Sequence, residues 1–543
     1  MRSMTPILLL VLTLAILLSP RQALADDAAF TAAAAQLATD DFASKEAGVK
    51  QVLELRHAGS KPLLAAMLDG RVFVRTADQH VFIVVADADP LELIEPATQK
   101  SAGTGKAEDF TKITTNNRLR KTLRGAIASF DLGDPDSAVR SAAVKELLRT
   151  LDEDTITLLR AQLTKEKIPR VRSEIEAGLA VADLTNPDAK TRLMAVKTLE
   201  NSLNSDAYNA LAAMATPGPD GSYPEADLDV RNAAGAAMRK IQHKRSIYAG
   251  LETLFFGLSL GSVLVLAAIG LAITFGVMGV INMAHGELMM LGAYSAYVMQ
   301  LLMPNHIGAS IVVAVPVAFV VSGAVGILIE RGIVRFLYGR PLETLLATFG
   351  VSLILQQVVR DIFSANNRPV ETPQWMSGSL EINEAFSITY NRLYVVLFTL
   401  AVFFLIQLLL KKTTLGLKVR AVSQNRPMAR AMGVRAEWID ALTFGLGSGI
   451  AGVAGVALSQ LTNVGPNLGQ QYIVDSFMVV VFGGVGNLWG TLIGGMSLGV
   501  VNKLLEPYAG AVLAKIFVLV FLILFIQRRP RGLFPQKGRA AEN

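Results

Sequence analysis

Six polar residues stand out in or beside the long apolar blocks of this 543-residue chain. Asn282, His285 and Glu287 open one block, and Asn463, Asn467 and Asp475 lie between two others. Amide and ionisable side chains are costly in hydrocarbon, and those that persist there usually face a cavity or a partner. They are candidates for handling a polar solute; the alternative is that His285 and Glu287 satisfy a helix end or pair with each other. Thiol chemistry, disulfides and cysteine-based metal sites are excluded, because the chain has no cysteine. Gly103-Thr104-Gly105-Lys106 is like the end of a phosphate loop, but the upstream glycine is missing and Ala107 stands where a Ser or Thr would hold magnesium. It reads as a loop inside a Gly/Ser/Thr/Lys linker over 101–106. The chain therefore carries no nucleotide motif and no expected cofactor, and it does not read as an enzyme.

The elements that must position these residues follow from composition. The chain is 52% hydrophobic and 18% charged, with mean hydropathy +0.42, whereas soluble domains are about a quarter charged. The apolar excess lies in blocks of about 20 residues, the length that crosses about 30 Å of hydrocarbon. Expected spans are 251–275, 281–303, 309–329, 341–363, 392–410, 438–461, 475–487, 489–505 and 509–527, the seventh short enough to be re-entrant. Lys411, Lys412, Lys418, Arg420, Arg426, Arg430 and Arg435 crowd 411–435 without an acid, and Arg331, Arg335 and Arg340 mark another basic loop. Positive loops face the cytoplasm, so these loops and the tail are expected inside. His243-Lys244-Arg245 dissents, since it would lie outside beside the first span. The basic excess belongs to membrane orientation, not to nucleic acid.

Residues 1–25 read as a secretory signal, with Arg2, an apolar core from Ile7 to Leu18, and Ala23-Leu24-Ala25. Residues 26–245 then form an expected periplasmic helical domain. Val72–Arg75 and Val81–Val85 suggest a β-hairpin. Asp134-Pro135, Pro169, Asn186-Pro187 and Asp229 each open a similar pattern with an arginine and helically spaced apolar residues, as stacked helix pairs do. The fold class expected is mainly α: a secreted HEAT-like helical domain with a small β-hairpin, a polytopic permease over 246–530, and a cytoplasmic tail over 531–543.

Gly257-Leu258-Ser259-Leu260-Gly261, Asn282-Met283-Ala284-His285-Gly286-Glu287, Gly483-Gly484-Val485-Gly486 and Arg529-Pro530-Arg531-Gly532-Leu533-Phe534 resemble the permease family of bacterial branched-chain amino-acid ABC importers. So does 413–434, where the resemblance implies an ATPase-docking loop with Arg420, Asn425, Arg426, Ala429, Arg430 and Gly433. Asn463 through Phe477, Gln424 through Ala429, and Phe525-Ile526-Gln527 look like the urea-transport branch. The resemblance implies an inner-membrane subunit whose partners are membrane lipid, a second permease subunit, cytoplasmic ATPase subunits and a periplasmic substrate-binding protein. Urea offers four N–H donors and one carbonyl acceptor, which amide and carboxylate groups such as Asn463, Asn467 and Asp475 suit. Branched-chain amino acids or short-chain amides are the alternative solutes. A zwitterion would need both charge signs, and the outer stretches offer almost no Lys or Arg. A passive channel would not explain the basic loop, and a membrane sensor would not need so many spans.

Overall fold

The computed structural model describes residues 26–85 and 89–534. The expected signal and residues 535–543 of the expected tail lie outside them. The chain forms two compact units, Met1–Gln242 and His243–Asn543.

In the first unit, helices α1 (26–36), α2 (Phe42–Leu55) and α3 (Ser60–Leu68) pack on an antiparallel sheet of five strands. These are β1 (Val72–Arg75), β2 (Val81–Val84), β3 (Leu91–Ile94), β4 (Ser101–Gly105) and β5 (Phe110–Lys112), in the order β4-β3-β2-β1-β5. Phe30, Leu37, Leu63, Val72 and Ile83 meet in its core. The hairpin is there, but the expected linker is corrected: 101–105 is an edge strand. Its side chains are largely exposed, so its pairing depends on the backbone of β3 and leaves no hydropathy signal.

Helices α4 (Asn117–Asp131), α5 (Ser137–Leu147), α6 (Glu153–Lys165), α7 (Pro169–Asp183), α8 (Ala189–Leu199) and α9 (Ser205–Ala215) complete the unit, with the first turns of α10 (Leu228–Met278). One device occurs twice. Arg140 donates from Nε and Nη2 to Glu166 at 2.8 and 3.0 Å, and from Nη1 to the carbonyls of Asp134 and Pro135. Arg192 does the same with Glu225 at 2.8 Å and the carbonyls of Asn186 and Pro187. Both carboxylates are buried. The Arg140 guanidinium holds Glu166 down at about 2, against the opposing effect of burial.

The second unit contains the rest of α10 and α11 (His285–Leu302), α12 (Ile307–Gly332), α13 (Pro341–Phe363), β6 (Ser379–Asn383), β7 (Phe386–Thr389), α14 (Tyr390–Lys412), α15 (Thr414–Gln424), α16 (Arg426–Ala431), α17 (Ala436–Ser459), α18 (Leu468–Gly483) and α19 (Leu488–Arg528). Among the described residues, α10, α12, α13, α14, α17 and α19 are long and apolar enough to cross a membrane. The expected eighth and ninth spans are two halves of α19, which breaks at Gly510 (φ 78°). The expected seventh span is corrected: its helix starts at Leu468 and stops at Gly483, because Gly484 takes φ 103°. There the chain turns, and Leu533 and Phe534 donate their amides to the carbonyls of Phe482 and Gly483. The β6–β7 hairpin was not expected.

α17 is buried almost throughout, whereas α12, α13, α14 and α19 turn apolar side chains outward. Where helices cross tightly, glycine is required. A Cβ on Gly286 of α11 would lie 2.4 Å from the carbonyl oxygen of Gly469 in α18. Small residues permit such contact between backbones in lipid.

Candidate polar site between α11 and α13

The polar site starts where helix stops. α10 ends at Met278, Gly279 takes φ 66°, and helix resumes only at His285. Asn282 is fully buried and folds its Oδ1 back onto the amide of Ala284 at 3.0 Å. The amide of Met283 donates to Thr348 Oγ1 at 3.1 Å. His285, also fully buried, donates from Nε2 to the carbonyl of Ala267 at 2.9 Å, which fixes the proton on that nitrogen. Glu287 Oε1 accepts from Ser352 Oγ at 3.0 Å and Gln356 Nε2 at 2.8 Å. Asn282 Nδ2, His285 Nδ1 and Glu287 Oε2 are buried without a hydrogen-bond partner among the described residues. Buried polar atoms normally find partners. Here a donor on the unwound segment, Asn282 Nδ2, and a carboxylate oxygen in the first turn of α11, Glu287 Oε2, are left without partners among the described residues.

The facing wall is one side of α13. Thr344, Thr348, Ser352 and Gln356 recur every fourth residue and are all buried. Arg360 follows one turn on and donates to Asn467 Oδ1 at 2.8 Å. The sixteen steps of helical rise from Thr344 to Arg360 make this polar stripe about 24 Å long. The sequence reading missed it, although the four-residue period was there to be seen.

Of the other expected site residues, the structure joins only Asn467 to this stripe, through Arg360. Asp475 is buried and pairs with Lys515 of α19 at 3.2 Å. Asn463 is exposed, next to the bridge between Val464 and Arg368. His285 and Glu287 bond to different helices rather than to each other. Arg360 and Lys515, from helices distant in sequence, bring cations to Asn467 and Asp475. Among the described residues, no group of three or more His, Asp or Glu side chains is gathered for a metal.

The basic segment is also rearranged. The expected docking loop over 413–434 is two helices, α15 and α16. Asn425 separates them and caps α16 by accepting from the Met428 amide at 2.9 Å. Gly433, at φ 83°, lies past the end of α16. Ala429 is buried against Val419, Val422 and Ile439. Arg420 donates to the Leu410 carbonyl, and Arg426 turns inward to buried Asp440. Arg430 lies 3.9 Å from Glu437, which also accepts from Arg335 at 2.8 Å.

Apolar helices around a glycine-packed centre, with one unwound polar turn facing a polar helix stripe, define a multi-pass membrane permease. Residues 253–526 match the family described as branched-chain amino acid transport system / permease component. The chain belongs to that family. It is 30% identical over 297 residues to the high-affinity branched-chain amino acid transport system permease protein BraD of Pseudomonas aeruginosa, covering 53% of this chain and 96% of that one. It is 32% identical over 294 residues to LivH of Salmonella typhimurium, a permease protein of the same description, covering 52% and 94%. A shorter match, 30% over 108 residues, covers 19% of this chain and 34% of the ribose import permease protein RbsC of Bacillus subtilis. No solved structure matches.

Proposed function

We propose that the chain is the translocating subunit of an ATP-driven importer and that its solute is urea. The observation that carries this reading is the half-satisfied turn at Asn282, His285 and Glu287. Urea would donate N–H to Glu287 Oε2 and accept from Asn282 Nδ2, a match of donors to acceptors that needs no net charge. The likeness of 463–477 to the urea branch supports it, and so does the first unit, which lies outside the family match at 253–526. Asn467 at the end of the stripe is the entry contact. The partners are a second permease subunit, cytoplasmic ATPases docked on the basic segment, and a periplasmic binding protein. The first unit is secreted and HEAT-like, with the repeated Arg–Glu pairs locking successive helix pairs.

A second reading, import of branched-chain amino acids, is favoured by the names of the relatives and by Arg360, which could hold a carboxylate. Uptake of labelled urea, alanine and leucine in a deletion strain complemented with this chain decides between them. Urea uptake alone is expected; leucine uptake without urea uptake overturns the solute. Orientation is checked by fusing a reporter active only in the periplasm at exposed Ala107, where it should work, and at exposed Gln424, where it should be silent.

A further inference from the structure

Asp440 lies in the second turn of α17 and is 1% exposed. Its carboxylate is met by Arg426, the first residue of α16. The Arg426 guanidinium also lies over the Tyr338 ring, 4.8 Å from its centre. Tyr338 in turn donates to Glu330 Oε1 of α12 at 3.4 Å. Glu330 is 1% exposed, and its Oε2 has no hydrogen-bond partner among the described residues. Asp440 thus has Arg426 as its cation, while Glu330 has the Tyr338 phenol and Arg331, whose Nε lies 3.7 Å from its Oε2.

Separating Arg426 from Asp440 would strand a buried charge, which is far costlier than moving the pair together. An apolar cluster of Val419, Val422, Ala429, Ala436 and Ile439 runs beside it and joins the same helices. From α17, close contacts lead on to the site: Gly447 meets Gly270 of α10, and Gly455 meets the Met289 carbonyl of α11. We propose that Arg426 and Asp440 form a latch that makes α16 and the start of α17 move as one body. Both are positioning residues: displacement of the short helix reaches the Glu287 turn through α17. The consequence for transport rests on the importer reading above; the latch itself does not.

The chain has no native cysteine, so spin labels at Met428→Cys and Leu442→Cys, both exposed positions, report the α16–α17 distance in the full-length purified chain. A narrow distribution is expected, lost in Asp440→Asn and in the double variant Arg426→Gln/Asp440→Asn, which keeps no lone charge to unfold the protein. An unchanged narrow distribution in the double variant overturns the latch. In the assembled importer, Asp440→Asn should lower uptake at least about tenfold while ATP hydrolysis persists, with partial recovery in Arg426→Lys at native Asp440 relative to Arg426→Gln. Loosened labels with normal uptake would leave a structural pair and overturn the coupling role. Failure of the unaltered complex to take up any solute would strike the importer reading instead.

Discussion

Gln356 donates from Nε2 to Oε1 of Glu287 at 2.8 Å, tying α13 to the first turn of α11. The bond leaves the other carboxylate oxygen free and aimed by a fixed neighbour. A site in which every polar atom were paired would be structural; this one keeps binding capacity at a depth where unpaired groups cost about 1–3 kcal/mol each.

Glu287→Gln tests that capacity. The amide oxygen can still accept from Ser352 and Gln356, so the thermal midpoint of the purified chain should barely move. The free carboxylate oxygen becomes a donor, and solute uptake should fall by about tenfold or more. Unaltered uptake would remove Glu287 from the path.

Gly286→Ala tests the close crossing. The added methyl would press on the Gly469 backbone, so α11 and α18 must separate. Overpacking of this kind costs about 1–3 kcal/mol. The variant should lose thermal stability in detergent by that order, and Gly469→Ala should do the same. No loss in either would mean that the helices do not cross so tightly.

Six long apolar helices overlap the expected spans, because lipid exposure is written in composition: a block must be apolar over its whole length to sit there. Partners are not written so locally. Asp475 and Lys515 are 40 residues apart, and Arg360 and Asn467 are 107 apart, so which cation meets which acceptor depends on helix packing. Glu287 was legible as an isolated acid in an apolar block. Its partners Ser352 and Gln356 were legible only as a period within α13, which a count of charged residues overlooks. The helix break at Asn425 was obscured by a basic run that reads as one segment. The edge strand 101–105 could not be seen, since Gly, Ser and Thr are also what a linker contains.

Gly433 carries a backbone prediction. Its φ of 83° is reached by glycine without penalty, whereas other L residues pay about 1–2 kcal/mol. Gly433→Ala should loosen the turn between α16 and α17, seen as faster amide exchange over 426–436, and Gly433→Asn should be milder. Space is open around this position, so equal exchange in all three proteins would mean that the turn carries no strain.

In the first unit the Arg140–Glu166 pair makes stability pH-dependent. Glu166 titrates at about 2 when folded against an ordinary value of 4.5. A depressed carboxylate contributes stability that is fully present above its unfolded pKa and is lost as pH falls through the folded one. Protection of the amides across 137–183 against exchange, corrected for the intrinsic rate at each pH, should therefore fall between pH 4.5 and about 2 in the whole chain. Glu166→Gln should weaken the segment at neutral pH and flatten that dependence. An equally steep acid response in Glu166→Gln would assign it to other carboxylates.

Arg360 decides between the two solute readings. Its guanidinium meets Asn467 at the end of the α13 stripe, one turn beyond Gln356. A neutral solute needs hydrogen bonds there but no cation, and Arg360→Gln keeps a donor for Asn467 Oδ1. Half-saturation for urea should then rise by no more than about threefold, the cost of one altered neutral hydrogen bond. A solute carboxylate held by the guanidinium would instead lose a charge-assisted bond of about 1.5–3 kcal/mol, raising half-saturation by about tenfold to a hundredfold. Asn467→Ala provides the control, because it removes the acceptor and leaves the cation. A large rise for Arg360→Gln with a small one for Asn467→Ala would overturn the neutral-solute reading and place a carboxylate at this end of the path.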